Sequence, residues 1–237
     1  MTTAEIKYIK SLSQKKFRDE YGVFVVEGEK MVQEALASSF EVENVYRTSE
    51  IGETAMGRIS SLSSPSPALA VVRKPNDLQN AEVPSKGLYL ALDGIRDPGN
   101  LGTILRIADW FGIDAVFASE DTVDIFNPKV VQSTMGAIFR VKFHYCDIPA
   151  LCKDVIGHGG KVYGTFLDGQ NMYQKALDSA YSVIVIGNEA NGISPATAAC
   201  VTDRLFIPPY PADDPGSESL NAAVATAITV AEFRRPR

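Results

Sequence analysis

Cysteine is scarce in this chain of 237 residues: three are present, Cys146, Cys152 and Cys200. So odd and sparse a set excludes a disulfide framework and predicts reduced thiols. Long apolar runs are missing too. None reaches the ~18–20 residues of a membrane-spanning helix, and the opening "MTTAEIKYIK" has no apolar signal-peptide core. These absences predict a cytoplasmic protein. Histidine is limited to His144 and His158, which share "HYCDIPALCKDVIGH" with Cys146 and Cys152. That spacing fits no common zinc finger, so isolated thiols and no metal are expected. Neither G-x-G-x-x-G nor G-x-x-x-x-G-K-[ST] occurs, which argues against a Rossmann-type dinucleotide enzyme and a P-loop enzyme. Positive charge is short overall: 23 Lys and Arg against 29 Asp and Glu give a net −6. The chain as a whole is not a basic nucleic-acid coat.

What is present is local. Between Met1 and Arg18 lie Lys7, Lys10, Lys15, Lys16 and Arg18 against Glu5 alone. This basic run reads either as a solvated helix face or as a set of phosphate contacts for RNA. Short strand patterns follow at "YGVFVVEG", "VENVYRTS" and "PALAVVRK", with a helical spacing in "EKMVQEALAS". The polar, proline-containing stretch "KPNDLQNAEVPSK" breaks the pattern. It divides a small α/β domain over 1–75 from a second domain over 87–237, with a linker over 76–86.

From Gly87 onward, buried-type strands recur at 88–93, 115–119, 140–145, 161–167, 182–187 and 204–208, with helical stretches between most of them. That alternation predicts an α/β fold with a mostly parallel sheet covered on both faces. Ligands of such sheets bind outside the carboxyl ends of the strands, so the loops there are the places to look for chemistry.

Three loops stand out. In "LDGIRDPGNLGTILRIADWFG", a strand ends at Asp93-Gly94, and Gly99, Asn100 and Gly102 lead into an apolar helix that carries Arg106. Glycine there allows close approach to a ligand, and a helix start offers free N–H groups. In "VIVIGNEANGIS", a β-branched strand ends at Gly187 and delivers the carboxylate of Glu189; Ser194-Pro195 then opens a helix. In "IPPYPADDPGSESLNAAVATAITVAEF", an acidic proline-rich loop leads to Ser219-Leu220-Asn221 and an alanine-rich helix, with Ser217 and Ser219 as N-cap candidates. Each signal has a plain structural reading as well: Arg106 snorkelling to solvent, Glu189 pairing locally, an ordinary capped terminal helix.

Taken in order and spacing, "PGNLGTILRIADWFG", "VIVIGNEANGIS" and "IPPYPADDPGSESLNAAVATAI" resemble motifs 1, 2 and 3 of the SpoU-type (TrmH-like) RNA 2′-O-ribose methyltransferases of the SPOUT class. "DIFNPKVVQSTMGAIFRV" resembles the family's stretch between motifs 1 and 2. "KYIKSLSQKKFRDEYGVFVVEGEKMVQEAL" resembles its L30e-like RNA-binding domain. The resemblance covers nearly the whole chain. It implies a C-terminal trefoil knot, a homodimer, and S-adenosyl-L-methionine as cofactor. It implies methylation of a ribose 2′-hydroxyl in RNA, ribosomal before transfer RNA. Residue by residue, it assigns Asn100 and Arg106 to motif 1, Glu189 to motif 2, and Ser219 and Asn221 to motif 3, all as catalytic-site residues. Gly187, Ile207 and Leu220 match cofactor-side positions, and Thr165 and Leu167 in "YGTFLDG" match a further cofactor-side loop.

The chain departs from the family pattern in three places. Ala190 stands where Gly is common in motif 2. Gln132 replaces a frequent basic residue. The loop between Ile207 and Ser219, with Asp213 and Asp214, is longer than usual. An alternative is a non-catalytic RNA-binding protein on a decayed methyltransferase fold. That reading predicts loss of motif residues, whereas Asn100, Arg106, Glu189, Ser219 and Asn221 are all present. For the chemistry, Arg106 reads better as a phosphate-binding, alkoxide-stabilising cation than as a general base, because a guanidinium stays protonated.

Overall fold

The computed structural model describes residues 1–76, 78, 85–211 and 218–236. Asp213, Asp214, Ser217 and most of the expected linker lie outside the described residues. In chain order the elements are α1 (Thr3–Ser11), α2 (Lys15–Tyr21), β1 (Val23–Glu27), α3 (Glu29–Ala37), β2 (Val42–Arg47), α4 (Thr48–Ile51), α5 (Glu53–Ile59) and β3 (Ala68–Arg73). There follow β4 (Gly87–Asp93), α6 (Pro98–Trp110), β5 (Ala115–Ala118), α7 (Pro128–Thr134), β6 (Phe143–Tyr145) and α8 (Ile148–Gly157). The last elements are β7 (Lys161–Asn171), β8 (Tyr181–Gly187), α9 (Pro195–Ala198), β9 (Asp203–Phe206) and α10 (Ala222–Arg234).

The chain forms two units. The first holds residues 1–76 together with 124–140, a segment that lies inside the span read from sequence as the second domain. Its sheet is antiparallel, in the order β1-β3-β2. Alternation along β1 explains its two faces. Val23 packs with Ile6, Ile9 and Leu12 of the N-terminal helical region, and with Met56 and Ile59 of α5. Phe24, on the other face, meets the rings of Phe40, Phe126 and Phe139 at centroid distances of 6.2, 4.6 and 6.4 Å. The last two rings belong to the 124–140 segment, so a strand near the N-terminus supplies the core against which α7 packs.

One expected RNA contact is placed elsewhere. Arg18 is 2% exposed. Its guanidinium donates to the carbonyls of Leu12 (2.9 Å) and Ser13 (2.8 Å) and pairs with Asp124 at 2.7 Å. A charge so enclosed and so bonded cannot face phosphate; it ties the start of the 124–140 segment to α2. Arg140, at the other end of that segment, pairs with Glu34. Lys7, Lys10, Lys15 and Lys16 are exposed, and Lys15 bridges to Asp19 at 2.6 Å.

The second unit holds residues 77–123 and 141–237. Its six strands run in the order β6-β5-β4-β8-β7-β9, every neighbouring pair parallel. On one face, Tyr89, Ala91, Phe117, Val183 and Val185 pack with Leu151, Cys152 and Val155 of α8. Tyr163, on the opposite face of β7, meets Phe233 of α10 edge to face at 4.9 Å. Both faces are therefore covered, as the continuous apolar strands require. β4 and β8 are neighbours in the sheet but far apart in the chain. After β4 the chain builds one side of the sheet, through β5 to β6, and later the other. The gap between the ends of β4 and β8 is the topological switch point, where such sheets place their ligands.

Candidate functional site

At that switch point Asp93 and Gly187 close their strands in register. Beyond Gly187 the chain makes a narrow hairpin. Asn188 and Gly192 exchange backbone hydrogen bonds at 2.9 Å each way. A Cβ at Gly187 would lie 2.3 Å from the Gly192 carbonyl carbon, so only glycine lets the hairpin fold back so tightly. Asn188 Oδ1 accepts from the backbone N–H groups of Ala190 and Asn191, while Nδ2 donates to the Gly94 carbonyl at 2.7 Å. The loop after β8 is thereby fastened to the loop after β4. The left-handed position is Gly192, at φ +67°, so Ala at 190 costs the hairpin nothing. A cleft of about 190 Å³ opens here, with Asp93, Arg96, Asp121, Asn188 and Ser194 in its walls.

The hairpin presents Glu189 to α6. Asn100 is buried at the start of α6, after Asp97, whose Oδ1 accepts from the Asn100 N–H at 2.8 Å and caps the helix. Asn100 Nδ2 donates to Glu189 Oε1 at 2.6 Å. Asn221 Nδ2 donates to Asn100 Oδ1 at 2.8 Å. Asn221 Oδ1 accepts from the N–H groups of Ala223 (2.9 Å) and Val224 (3.2 Å), and so caps α10. The direction of the whole chain of bonds follows from the helix end. Free N–H groups oblige Asn221 to turn its oxygen toward α10, leaving its NH₂ for Asn100. The Asn100 oxygen is then occupied, so its NH₂ must face an acceptor, which is the carboxylate. Among the described residues, the contact of Glu189 Oε2 is a long one with Asn188, at 3.5 Å.

The helices that carry these two amides lie side by side and point the same way. At their far ends Arg234 of α10 donates to the carbonyls of Phe111 (3.0 Å) and Gly112 (2.5 Å), just past α6. The starts of α6 and α10 therefore lie together, joined by the Asn221–Asn100 bond, and the same Asn100 holds Glu189.

The other expected residues fall in two groups. Thr165 and Leu167 lie in the middle of β7, just past Gly164, where its pairing with β8 stops; Gly187 ends β8, and Ile207 follows β9. Leu220 precedes the cap of α10. These positions belong to three adjacent strands and one helix start, and two of the side chains, Leu167 and Leu220, are 70% and 49% exposed. Ser219 is exposed and does not cap α10; Asn221 does, because the helix begins at Ala222. Arg106 is exposed, six residues beyond Asn100, which is about 240° around the helix. The structure therefore does not join Arg106 to the amide network of its own chain. It shares an outer face with Trp110, which is 85% exposed.

Sequence reasoning missed Asp93, Asp97 and Asn188. Asp93 Oδ2 accepts from the Ser194 N–H at 2.8 Å and holds the start of α9. "D-P-G" before a helix signals a cap at Asp97, and "G-N-x-x-N-G" signals a turn at Asn188. The contact between Asp93 and Ser194 spans 101 residues and leaves no local trace.

Comparison with known proteins agrees with this geometry. The SpoU rRNA Methylase family matches residues 87–231, and the MRM3-like substrate binding domain matches residues 3–73. The 23S rRNA (guanosine(2553)-2′-O)-methyltransferase RlmP of Bacillus subtilis is 31% identical over 245 residues, covering 97% of this chain and 96% of that protein. A TrmH-family protein from Porphyromonas gingivalis superposes with a TM-score of 0.88 at 37% identity, over 99% of this chain and 98% of that one. An AdoMet-bound rRNA methyltransferase from Sinorhizobium meliloti superposes with a TM-score of 0.85 at 28% identity, over 99% and 95%. With more than half of its length matched and its switch point built from the residues of all three motifs, the chain belongs to the SpoU rRNA methylase family.

Proposed function

We infer that this protein transfers a methyl group from S-adenosylmethionine to a ribose 2′-hydroxyl of RNA, with ribosomal RNA the favoured substrate. The observation that carries the reading is the relay Glu189–Asn100–Asn221, set on two parallel helix ends at the switch point. The bound cofactor supplies a methyl activated on a sulfonium. What remains for the protein is to bring the hydroxyl in line and to manage charge as its proton leaves. Glu189 Oε2 accepts a hydrogen bond from the ribose hydroxyl and takes up its proton as the oxygen is methylated, and the two amides hold that carboxylate still. Arg106, always a cation, binds the phosphate beside the target ribose and stabilises the developing alkoxide. Thr165, Leu167, Gly187, Ile207 and Leu220 frame the adenosyl group, and Ser219 lies at the mouth of its pocket. No metal takes part.

The protein acts as a homodimer through the outer faces of α6 and α10. Trp110, Leu220 and Val224 are large apolar side chains exposed on or beside these helices, a pattern that marks an interface. Arg106 sits on the same face, which would let it complete the network of the second copy. The strand order supports a trefoil knot in the C-terminal part. The chain returns from β8 to β9 beyond β7, then back to α10 beside α6. The matched substrate-binding segment, with Lys7, Lys10, Lys15 and Lys16 exposed, holds RNA. Among the described residues no helix is long and apolar enough to cross a membrane, and the reaction belongs in the cytoplasm with its RNA.

The test is a map of 2′-O-methyl groups in total RNA from cells with and without the protein, together with transfer of labelled methyl in vitro. One ribose in ribosomal RNA should lose its methyl. An unchanged map and no transfer to any RNA would sink the reading and favour a non-catalytic RNA-binding role.

A further inference from the structure

The edge of the parallel sheet carries an irregularity that the catalytic reading does not use. Thr165 and Gln170 of β7 both lie opposite Leu205 of β9. The four residues 166–169 between them are therefore looped out of the pairing. Four contacts fix the shape of the loop. Phe166 folds back over Gly164, where an added Cβ would lie 2.6 Å from the ring. The Arg204 guanidinium of β9 lies over the Phe166 ring, 3.5 Å from its centroid. Arg204 also pairs with Asp168. Gly169 sits so close to the β9 backbone that a Cβ would lie 2.6 Å from the Leu205 carbonyl carbon. Beyond the loop, Lys175 bonds both Gln170 (2.9 Å) and Asp203 (2.6 Å) and fastens the strand's far end to β9.

Leu167 is thereby held outward at the carboxyl edge of the sheet, flanked by Phe166 and Asp168, which Arg204 grips together. A planar guanidinium is the group suited to both tasks, stacking on a ring and pairing with a carboxylate. We propose that Arg204 is a positioning residue: it holds the 166–169 loop in its looped-out shape and so presents Thr165 and Leu167 to S-adenosylmethionine. The proposal rests on the reading of those two residues as cofactor-side. The physical effect is pre-organisation. Without Arg204 the loop samples other shapes, and the cofactor must order it on binding.

The experiment is calorimetric titration with S-adenosylmethionine of the full-length wild type and of R204A, R204K, D168N and L167A. Steady-state kinetics and thermal unfolding of each accompany it. R204A should weaken cofactor binding about tenfold and raise KM for the cofactor alike, with kcat at saturation nearly unchanged. R204K keeps the ion pair and loses the planar stack, so it should fall between R204A and wild type. D168N should lose less than R204A. L167A should weaken binding as well. Unchanged affinity in R204A beside a weakened L167A would overturn the role of Arg204. Unchanged affinity in L167A would overturn the cofactor-side reading of the loop, and the proposal with it. A loss confined to kcat, with affinity kept, would also count against it.

Discussion

Asn221 of α10 donates a hydrogen bond to Asn100 of α6 at 2.8 Å, across 121 residues of chain. The same side chain caps its own helix with its oxygen. One amide thus does two separable things, and substitution can part them. Asn221→Asp keeps the acceptor and loses the donor; Asn221→Ala loses both. The alanine variant should lose about 1 kcal/mol of stability with the cap. The aspartate variant should stay near wild type in thermal unfolding. Methyl transfer should fall at least about tenfold in both, the equivalent of about 1.4 kcal/mol in the barrier. An active aspartate variant would show that the bond to Asn100 carries no chemistry.

Arg106→Ala should keep S-adenosylmethionine affinity and nearly abolish transfer. The side chain is exposed and directed away from its own amide network, so its loss should not disturb the fold or the cofactor pocket. Titration with cofactor and a single-turnover transfer assay decide the matter. Near-normal turnover would remove Arg106 from the mechanism.

The pair Arg18–Asp124, with side chains 2% and 12% exposed, should behave as a buried one. Removing one partner strands a charge, so Asp124→Ala should cost about 3–5 kcal/mol in chemical unfolding. Arg18→Met, which removes the charge and keeps the volume, should leave RNA affinity unaltered wherever the fold survives. Loss of RNA binding with an intact fold would restore Arg18 to the substrate contacts.

Lys7, Lys10, Lys15 and Lys16 make the opposite prediction. Replacing all four by alanine should leave unfolding nearly unchanged and weaken RNA binding. The log–log salt slope for single-stranded RNA should become shallower by about 0.7 for each phosphate that a lysine no longer neutralises. Anisotropy titrations at several salt concentrations measure it. Equal slopes for the two proteins would reduce these lysines to a solvated face.

Burial, aided by nearby acidic and thiol groups, pushes the Cys152 thiol from 9.0 up to about 12 and the Cys146 thiol up to about 11. Both should remain protonated in the native protein at pH 8 and react slowly with iodoacetamide. A group whose folded value is raised binds its proton more tightly in the folded state. Its contribution to stability is full below pH 9 and fades as pH climbs toward 11 and 12. Native-state alkylation as fast as that of the unfolded chain would contradict this placement.

How much of the molecule is legible in its sequence depends on distance along the chain. The strands of the second unit can be read because buried parallel strands are apolar throughout. Five of the six expected spans differ from β4, β5, β7, β8 and β9 by a few residues; at 140–145 only Phe143–Tyr145 pairs as β6. The motif residues can be named from their order and spacing. Their joining cannot: the bond from Asn100 to Glu189 spans 89 residues and depends on which strands become neighbours. The cap of α10 falls on an amide where serines were expected, because hydroxyls and amides are nearly equal caps. Arg18 misleads for a similar reason. A charge on a helix resembles a surface charge until its partner, 106 residues away, is known.

The chain passes between its two units after Asn76, Val123 and Arg140. The segment inserted at the middle of the family's matched span thus completes the other unit's core, with Phe126 and Phe139 against Phe24. The two matched families are therefore not interchangeable parts. A chimera that swapped only residues 3–73 for those of a relative would set a foreign strand against native Phe126 and Phe139. Recombination at the apparent boundary should fail unless those rings, Asp124 and Arg140 travel with it.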